Sequence, residues 1–159
     1  MADRMAETGW HQLVNGTSIV LDQAGILLTG APGCGKSDLA LRLIDRGAAL
    51  IADDLTELRR RDGGLVACYP GVAPDDLRGR MEVRGLGIMS VGHVTEPQIL
   101  RLVVDLVPAA AIERLPEPAE RVYGGISVPY LQVAPFEASA PAKLRLAVAA
   151  LAGHIMAPL

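Results

Sequence analysis

An α/β fold with a βαβ core, an additional β-hairpin and a C-terminal helix follows from three features of the sequence. A charge-free run, Gly25–Thr29, leads straight into the glycine-rich segment Gly30–Ser37. Apolar residues Leu39, Ala40, Leu43 and Ile44 then recur at helical spacing. A second apolar run, Ala48–Ala52, ends on Asp53-Asp54. Strand, glycine-rich loop, helix and strand in this order predict a βαβ unit with parallel strands and a right-handed crossover.

Taken in order, residues 1–14 read as a polar lead-in, 15–152 as a single domain and 153–159 as a tail. Ser18–Asp22 and Gly25–Thr29 flank Gln23-Ala24, a short hairpin turn. The bare apolar character of Gly25–Thr29 fits a strand buried on both faces. Gly47 after Arg46 is a helix stop. Leu55–Arg60 and Leu65–Tyr69 surround Asp62-Gly63, a strong hairpin signal. Pro70–Gly79, rich in Gly, Pro and Asp, predicts an exposed loop. Leu100–Val107 is a further strand, Pro108–Pro118 is irregular or a short helix, and Val122–Val133 holds one or two short strands. Ser139 is placed to cap a last helix with Pro141 in its first turn.

Composition removes several function classes. A net charge of -3 and few aromatics, one Trp, one Phe and three Tyr, oppose a nucleic-acid-binding role. The longest apolar runs fall far below the ~20 residues of a membrane span, and the acidic N-terminus is no signal peptide. Two cysteines make no disulfide framework, so a reducing cytoplasm is the expected address.

The segment Gly30-Ala31-Pro32-Gly33-Cys34-Gly35-Lys36-Ser37 matches G-x-x-x-x-G-K-[ST] in full. Glycines let backbone N–H groups turn inward to form an anion-binding nest at a helix N-terminus. All eight residues are expected to bind nucleotide, Lys36 lying along the β- and γ-phosphates and Ser37 binding Mg²⁺. Cys34 stands at a position that accepts almost any residue. A carboxylate is needed nearby, and Asp53-Asp54 ends its strand where ligands bind in open α/β sheets. Adjacent aspartates on an extended chain point to opposite sides, so the two can divide labour. Asp105 lies within its strand and reads as an edge or paired residue.

Three segments together, Gly30–Ser37, Ala52-Asp53-Asp54 and Glu82–Val91, resemble the catalytic domain of the HPr kinase/phosphorylase family. The resemblance runs from about residue 15 to 150 and lacks the separate N-terminal domain of longer members. It implies a P-loop kinase fold and an ATP-dependent serine kinase that phosphorylates HPr or a related phosphocarrier protein, as a homo-oligomer, a hexamer in the family. It also implies Asp53 as proton acceptor, Glu82 as a Mg²⁺ ligand and Arg114 as a contact to the phosphoryl group. Outside the resemblance, Glu82 and Arg84 read as exposed strand charges, Gly85 and Gly87 as a bulge or turn, and Arg114 as solvated.

Two positions depart from the family. Ungapped alignment back from Lys36 puts Asn15 where the family has a catalytic histidine; His11 lies four residues early. Asn cannot exchange a proton near neutrality. Pro135–Ala140 carries no arginine, which implies weak or absent phosphorylase activity. Two alternatives stay open. One is a nucleotide-binding regulator with impaired catalysis. The other is a small-molecule P-loop kinase, which would need an arginine-bearing lid; the only arginine cluster, Arg59-Arg60-Arg61, reads as a solvated hairpin end.

Overall fold

The path of the chain was obtained as a computed structural model that describes residues 9–153. In order, it comprises β1 (His11–Asn15), β2 (Thr17–Leu21), β3 (Ala24–Thr29), α1 (Lys36–Ile44), β4 (Ala49–Ala52), β5 (Leu55–Arg61) and β6 (Gly64–Cys68). There follow β7 (Arg80–Val83), β8 (Gly87–Ser90), β9 (Gln98–Leu106), β10 (Ala119–Tyr123), β11 (Ile126–Val133) and α2 (Ala140–Leu151). Nine strands form one sheet in the order β1-β5-β6-β9-β3-β2-β4, with β11 also on β9 and β10 on β11. Strand β9 carries β6 antiparallel on its first residues and β11 parallel on its last.

The βαβ expectation needs correction. Strands β3 and β4 run in the same direction, but β2 lies between them and pairs antiparallel with both. The β2–β3 hairpin has already occupied that edge of β3, so the chain returning from α1 can add only to the outside of β2. The parallel partner of β3 is β9, more distant in sequence. The hairpin turn also lies one residue earlier than expected, at Asp22 (φ 48) and Gln23 (φ 69). Two successive left-handed residues match the twist of a two-residue hairpin. The same arrangement joins β5 to β6, at Asp62 (φ 51) and Gly63 (φ 77), as the sequence predicts.

Other elements differ in detail. Residues 11–14, read as lead-in, form β1 together with Asn15, paired along its length with β5; residues 1–8, and residues 154–159 of the tail, lie outside the described residues. Helix α1 stops at Ile44, and Gly47 (φ 105) closes it: Gly47 N–H donates to Ile44 O and Ala48 N–H to Leu43 O, at 3.1 and 3.0 Å. Ser139 precedes α2 but makes no side-chain cap. Its φ of -80 and ψ of -5 are already helical, so the hydroxyl is not aimed back at the first-turn N–H groups. The 108–118 segment holds one 3₁₀ turn, Ala109–Ala111, and 122–133 belongs to the β10–β11 hairpin.

The core lies on both faces of the sheet. Ile26, Leu28, Leu102, Val104 and Leu106 pack with Leu39 and Leu43 of α1 and Leu144 and Val148 of α2. Leu27 and Val103, one residue out of phase, pack with Ile51, Leu58, Leu65 and Val128 on the other. Residues 26–28 of β3 are therefore fully buried, each contributing roughly 1.5–3 kcal/mol. The separate hairpin β7–β8 is anchored by buried Met81 and by the segment after it: Leu50 N–H donates to Gly92 O and Val94 N–H to Leu50 O. That attachment to β4 fixes where Glu82 sits relative to Asp53.

Candidate active site

Strands β3 and β4 end at the same edge of the sheet, which brings the glycine-rich loop and Asp53-Asp54 together. The loop uses left-handed backbone at Gly33 (φ 76) and Gly35 (φ 104), a region that glycine enters without steric cost. A side chain at Gly30 would approach Cys34 Sγ to 2.7 Å. Lys36 folds back across the loop and donates from Nζ to the carbonyls of Gly30 (2.9 Å) and Ala31 (3.0 Å).

Two hydroxyls converge on one carboxylate oxygen. Ser37, in the first turn of α1, donates to Asp53 Oδ1 at 2.7 Å, and Thr17 of β2 donates to the same atom at 2.9 Å. Thr17 is fully buried, and behind it Ser18 bonds Thr56 (2.8 Å), whose hydroxyl donates to Gly16 O. The sequence reading missed Thr17. A threonine opening the apolar run 18–21 is ordinary strand material, and only the β2–β4 pairing reveals what it holds.

An open cleft of about 590 Å³ lies over this group. Ser37, Asp53 and Asp54 form one wall, and residues 82–87 of the β7–β8 hairpin form the other. Gly85 (φ 89) and Gly87 (φ 110) make the hairpin turn, in line with the turn reading. The expectation that the two aspartates face opposite sides is overturned, since both line the cleft. Asp54 takes up φ 63, and this left-handed residue breaks the alternation of an extended chain. Partial burial pushes the Asp54 carboxyl above its ordinary value, Asp53 and Glu82 push the same way, and Lys36 opposes them.

The oxygen donors fit a hard divalent cation, which prefers one or two carboxylates together with waters and phosphate oxygens. Among the described residues no three His, Cys, Asp or Glu side chains form a ready-made metal cage. Ser37 and Glu82, which line the cleft on its two walls, are the side chains that could hold such a cation.

Other expected residues lie elsewhere. Arg114, beyond the 3₁₀ turn, is exposed and does not line the cleft. Asn15 ends β1 opposite Leu55, and the N–H of its neighbour Gly16 donates to Asp54 O at 2.9 Å, so it flanks the site. His11 pairs with Arg59 at the other end of the strand. The arginine cluster is the hairpin end expected: Arg59 and Arg61 are exposed at the end of β5, with Arg59 ion-paired to buried Glu57, while half-buried Arg60 packs by Trp10 and donates to Gly124 O. Of the two readings of Asp105, edge or paired, the second holds, since it lies between Thr29 of β3 and Gln132 of β11. It accepts bonds from Thr29 (3.2 Å) and Tyr130 (3.1 Å), while Arg121 lies over the Tyr130 ring and donates to Thr29 at the foot of the loop. Burial, and then the bond to Asp105, push the Tyr130 hydroxyl upward.

Comparison with known families decides the affiliation. The model of the HPr Serine kinase C-terminal domain matches residues 6–151. The chain belongs to that family. Similar curated relatives include HPr kinase/phosphorylase of Leptospira biflexa, 36% identical over 132 residues, covering 75% of this chain and 40% of the relative. Another is that of Lactobacillus acidophilus, 40% identical over 111 residues, covering 64% of this chain and 34% of the relative. The chain thus spans well under half the length of these relatives. Among solved structures, the Hpr(Ser) kinase/phosphatase from Coxiella burnetii superposes with a TM-score of 0.75 at 26% identity, covering 90% of this chain and 94% of that one. That likeness supports the mixed α/β architecture and the curled sheet.

Proposed function

We propose that this chain is an ATP-dependent protein-serine kinase with a P-loop fold whose acceptor is HPr or a related phosphocarrier protein of the phosphotransferase system. The observation that carries the reading is the convergence of the Ser37 and Thr17 hydroxyls on Asp53 Oδ1, beside Lys36 and across the cleft from Glu82. Residues 30–37 hold the phosphates, with backbone N–H groups and the start of α1 directed at the anion. Lys36 exchanges its two loop carbonyls for phosphate oxygens. Both hydroxyl bonds to Asp53 land on Oδ1, leaving Oδ2 to accept the proton of the substrate serine as the γ-phosphoryl group moves in line. When bound, Mg²⁺ held by Ser37 and Glu82 supplies charge neutralisation on the phosphates. Arg114 makes its phosphoryl contact through loop closure or a neighbouring copy in a homo-oligomer, a hexamer by resemblance.

A cytoplasmic address accompanies this reading; among the described residues no helix is long and apolar enough to cross a membrane. The test is transfer of radiolabelled phosphate from ATP to a purified HPr-type protein by the wild type and Lys36→Ala. Transfer that depends on Lys36 is expected. Tight ATP binding with no transfer to any such protein supports a second reading, a nucleotide-binding regulator, which Asn15 beside Asp54 favours. Strong ATP turnover on nucleosides or sugars alone would replace both with a small-molecule kinase.

A further inference from the structure

The connection from β11 to α2, Pro135–Ser139, has no task in the reading above. Strands β3, β9 and β11 run parallel, so the loops that follow β3 and β11 leave the same edge of the sheet. They meet at one point. A side chain on Gly35, the last residue before α1, would lie 2.8 Å from Cζ and 3.1 Å from Cε1 of Phe136. Phe136 is the only phenylalanine in the chain, and despite this contact it remains 71% exposed. The backbone beneath it is tied down: Arg42 of α1 donates to Pro135 O, and Ala140 N–H donates to Glu137 O at 3.1 Å. A large aromatic ring thus stands on an anchored segment, touching the phosphate loop with one edge and open to water elsewhere.

Resting on the nucleotide-binding reading, we propose that Phe136 is the platform on which the purine base of the bound nucleotide stacks. With the phosphates cradled by residues 30–36 at the N-terminus of α1, the ribose and base leave the loop at its Gly35–Ser37 end, where the ring stands. Gly35 admits the ring because it has no side chain, and its φ of 104 admits little else. Stacking uses the π-face that every base presents, so it needs no hydrogen-bonding partner on the protein.

The test is titration calorimetry in the presence of Mg²⁺ with two ligands, ADP and inorganic pyrophosphate, on the wild type, Phe136→Ala and Phe136→Tyr. The exposed ring leaves the melting temperature unchanged in both variants. Phe136→Ala is expected to weaken ADP by about 5- to 150-fold, the range that base–aromatic stacking spans, while pyrophosphate affinity is retained. Phe136→Tyr keeps both. Unchanged ADP affinity in Phe136→Ala overturns the inference and leaves the nucleotide site standing. An equal loss of pyrophosphate affinity also overturns it, because the ring would then only prop the loop. A wild type that binds neither ligand removes the nucleotide reading and the inference together.

Discussion

Replacement of Asp53 by Asn separates the chemistry of the site from its architecture. The amide Oδ1 can still accept the hydroxyls of Ser37 and Thr17, now at 2.7 and 2.9 Å from a carboxylate oxygen. Those bonds lose charge assistance, and charged bonds are roughly twice as strong as neutral ones. Two bonds that each fall from ~1.5–3 to ~1 kcal/mol set an upper range of roughly 1–4 kcal/mol. The site opens to solvent, and the loss of a like charge relieves Asp54, so a net destabilisation of about 1 kcal/mol is expected. Transfer is affected far more, since removal of a positioned general base costs about 10²–10⁴-fold, or ~3–5 kcal/mol of barrier. Initial rates of phosphate transfer at saturating ATP, with urea unfolding of the same preparations, read the two effects separately. An Asp53→Asn protein that transfers within tenfold of the wild-type rate refutes the assignment of Asp53 as base, whatever its stability.

Three further outcomes follow from the same geometry. Thr17→Val removes one of the two donors that orient Asp53; kcat should fall roughly 10- to 100-fold with KM for ATP little changed, by analogy with outer-shell partners of metal ligands, and an unaltered kcat would show that Ser37 suffices. Half-buried Cys34 in the loop should react with a maleimide well before buried Cys68, and ADP should slow the Cys34 reaction; equal labelling rates would contradict the loop conformation. Burial pushes the Cys68 thiol above its ordinary value of 9.0, so the native state holds the proton longer than the unfolded chain, and stability should fall as pH rises beyond about 9; Cys68→Ser, whose hydroxyl can still donate to Glu57 O, should lose that part of the alkaline slope, and denaturant midpoints between pH 8 and 10 measure it.

What was legible in the sequence is what local chemistry dictates. Gly47 ends α1 and Asp62-Gly63 turns β5 into β6 because left-handed backbone is a property of one or two residues. The pairing of β3 was not legible, because the insertion of β2 between β3 and β4 is decided by competition for a sheet edge. The candidate site shows the same division. Residues 30–37 announce themselves by spacing, whereas Glu82 is locally an exposed strand charge and becomes a wall of the cleft only because Gly92 and Val94 pair with Leu50. Thr17 and Phe136 carried no signal at all, since each acts on a segment distant in sequence. Arg114 is legible only by resemblance, and within one chain it stands outside the cleft.

The register of β1 turns the departure at Asn15 into a defined experiment. His11 to Asn15 pairs residue by residue with Arg59 to Leu55, without a bulge. Four steps at ~3.3 Å put His11 about 13 Å along the strand from Asn15. No slippage of one or two residues brings its imidazole to the cleft, and a one-residue slip would reverse the facing of the whole strand. His11→Ala should therefore leave transfer unchanged. Asn15→His places a group that titrates near neutrality at an exposed strand end beside the Asp54 backbone, so its effect on stability should stay within ~0.5 kcal/mol. If a proton held at this place assists the reaction, Asn15→His raises the rate of transfer or of its reversal, and the gain varies with pH across roughly 6–7 as the imidazole titrates. A pH-independent rate in Asn15→His equal to that of the wild type would show that Asp53 alone carries the proton. A fall in activity in His11→Ala would contradict the β1–β5 register itself.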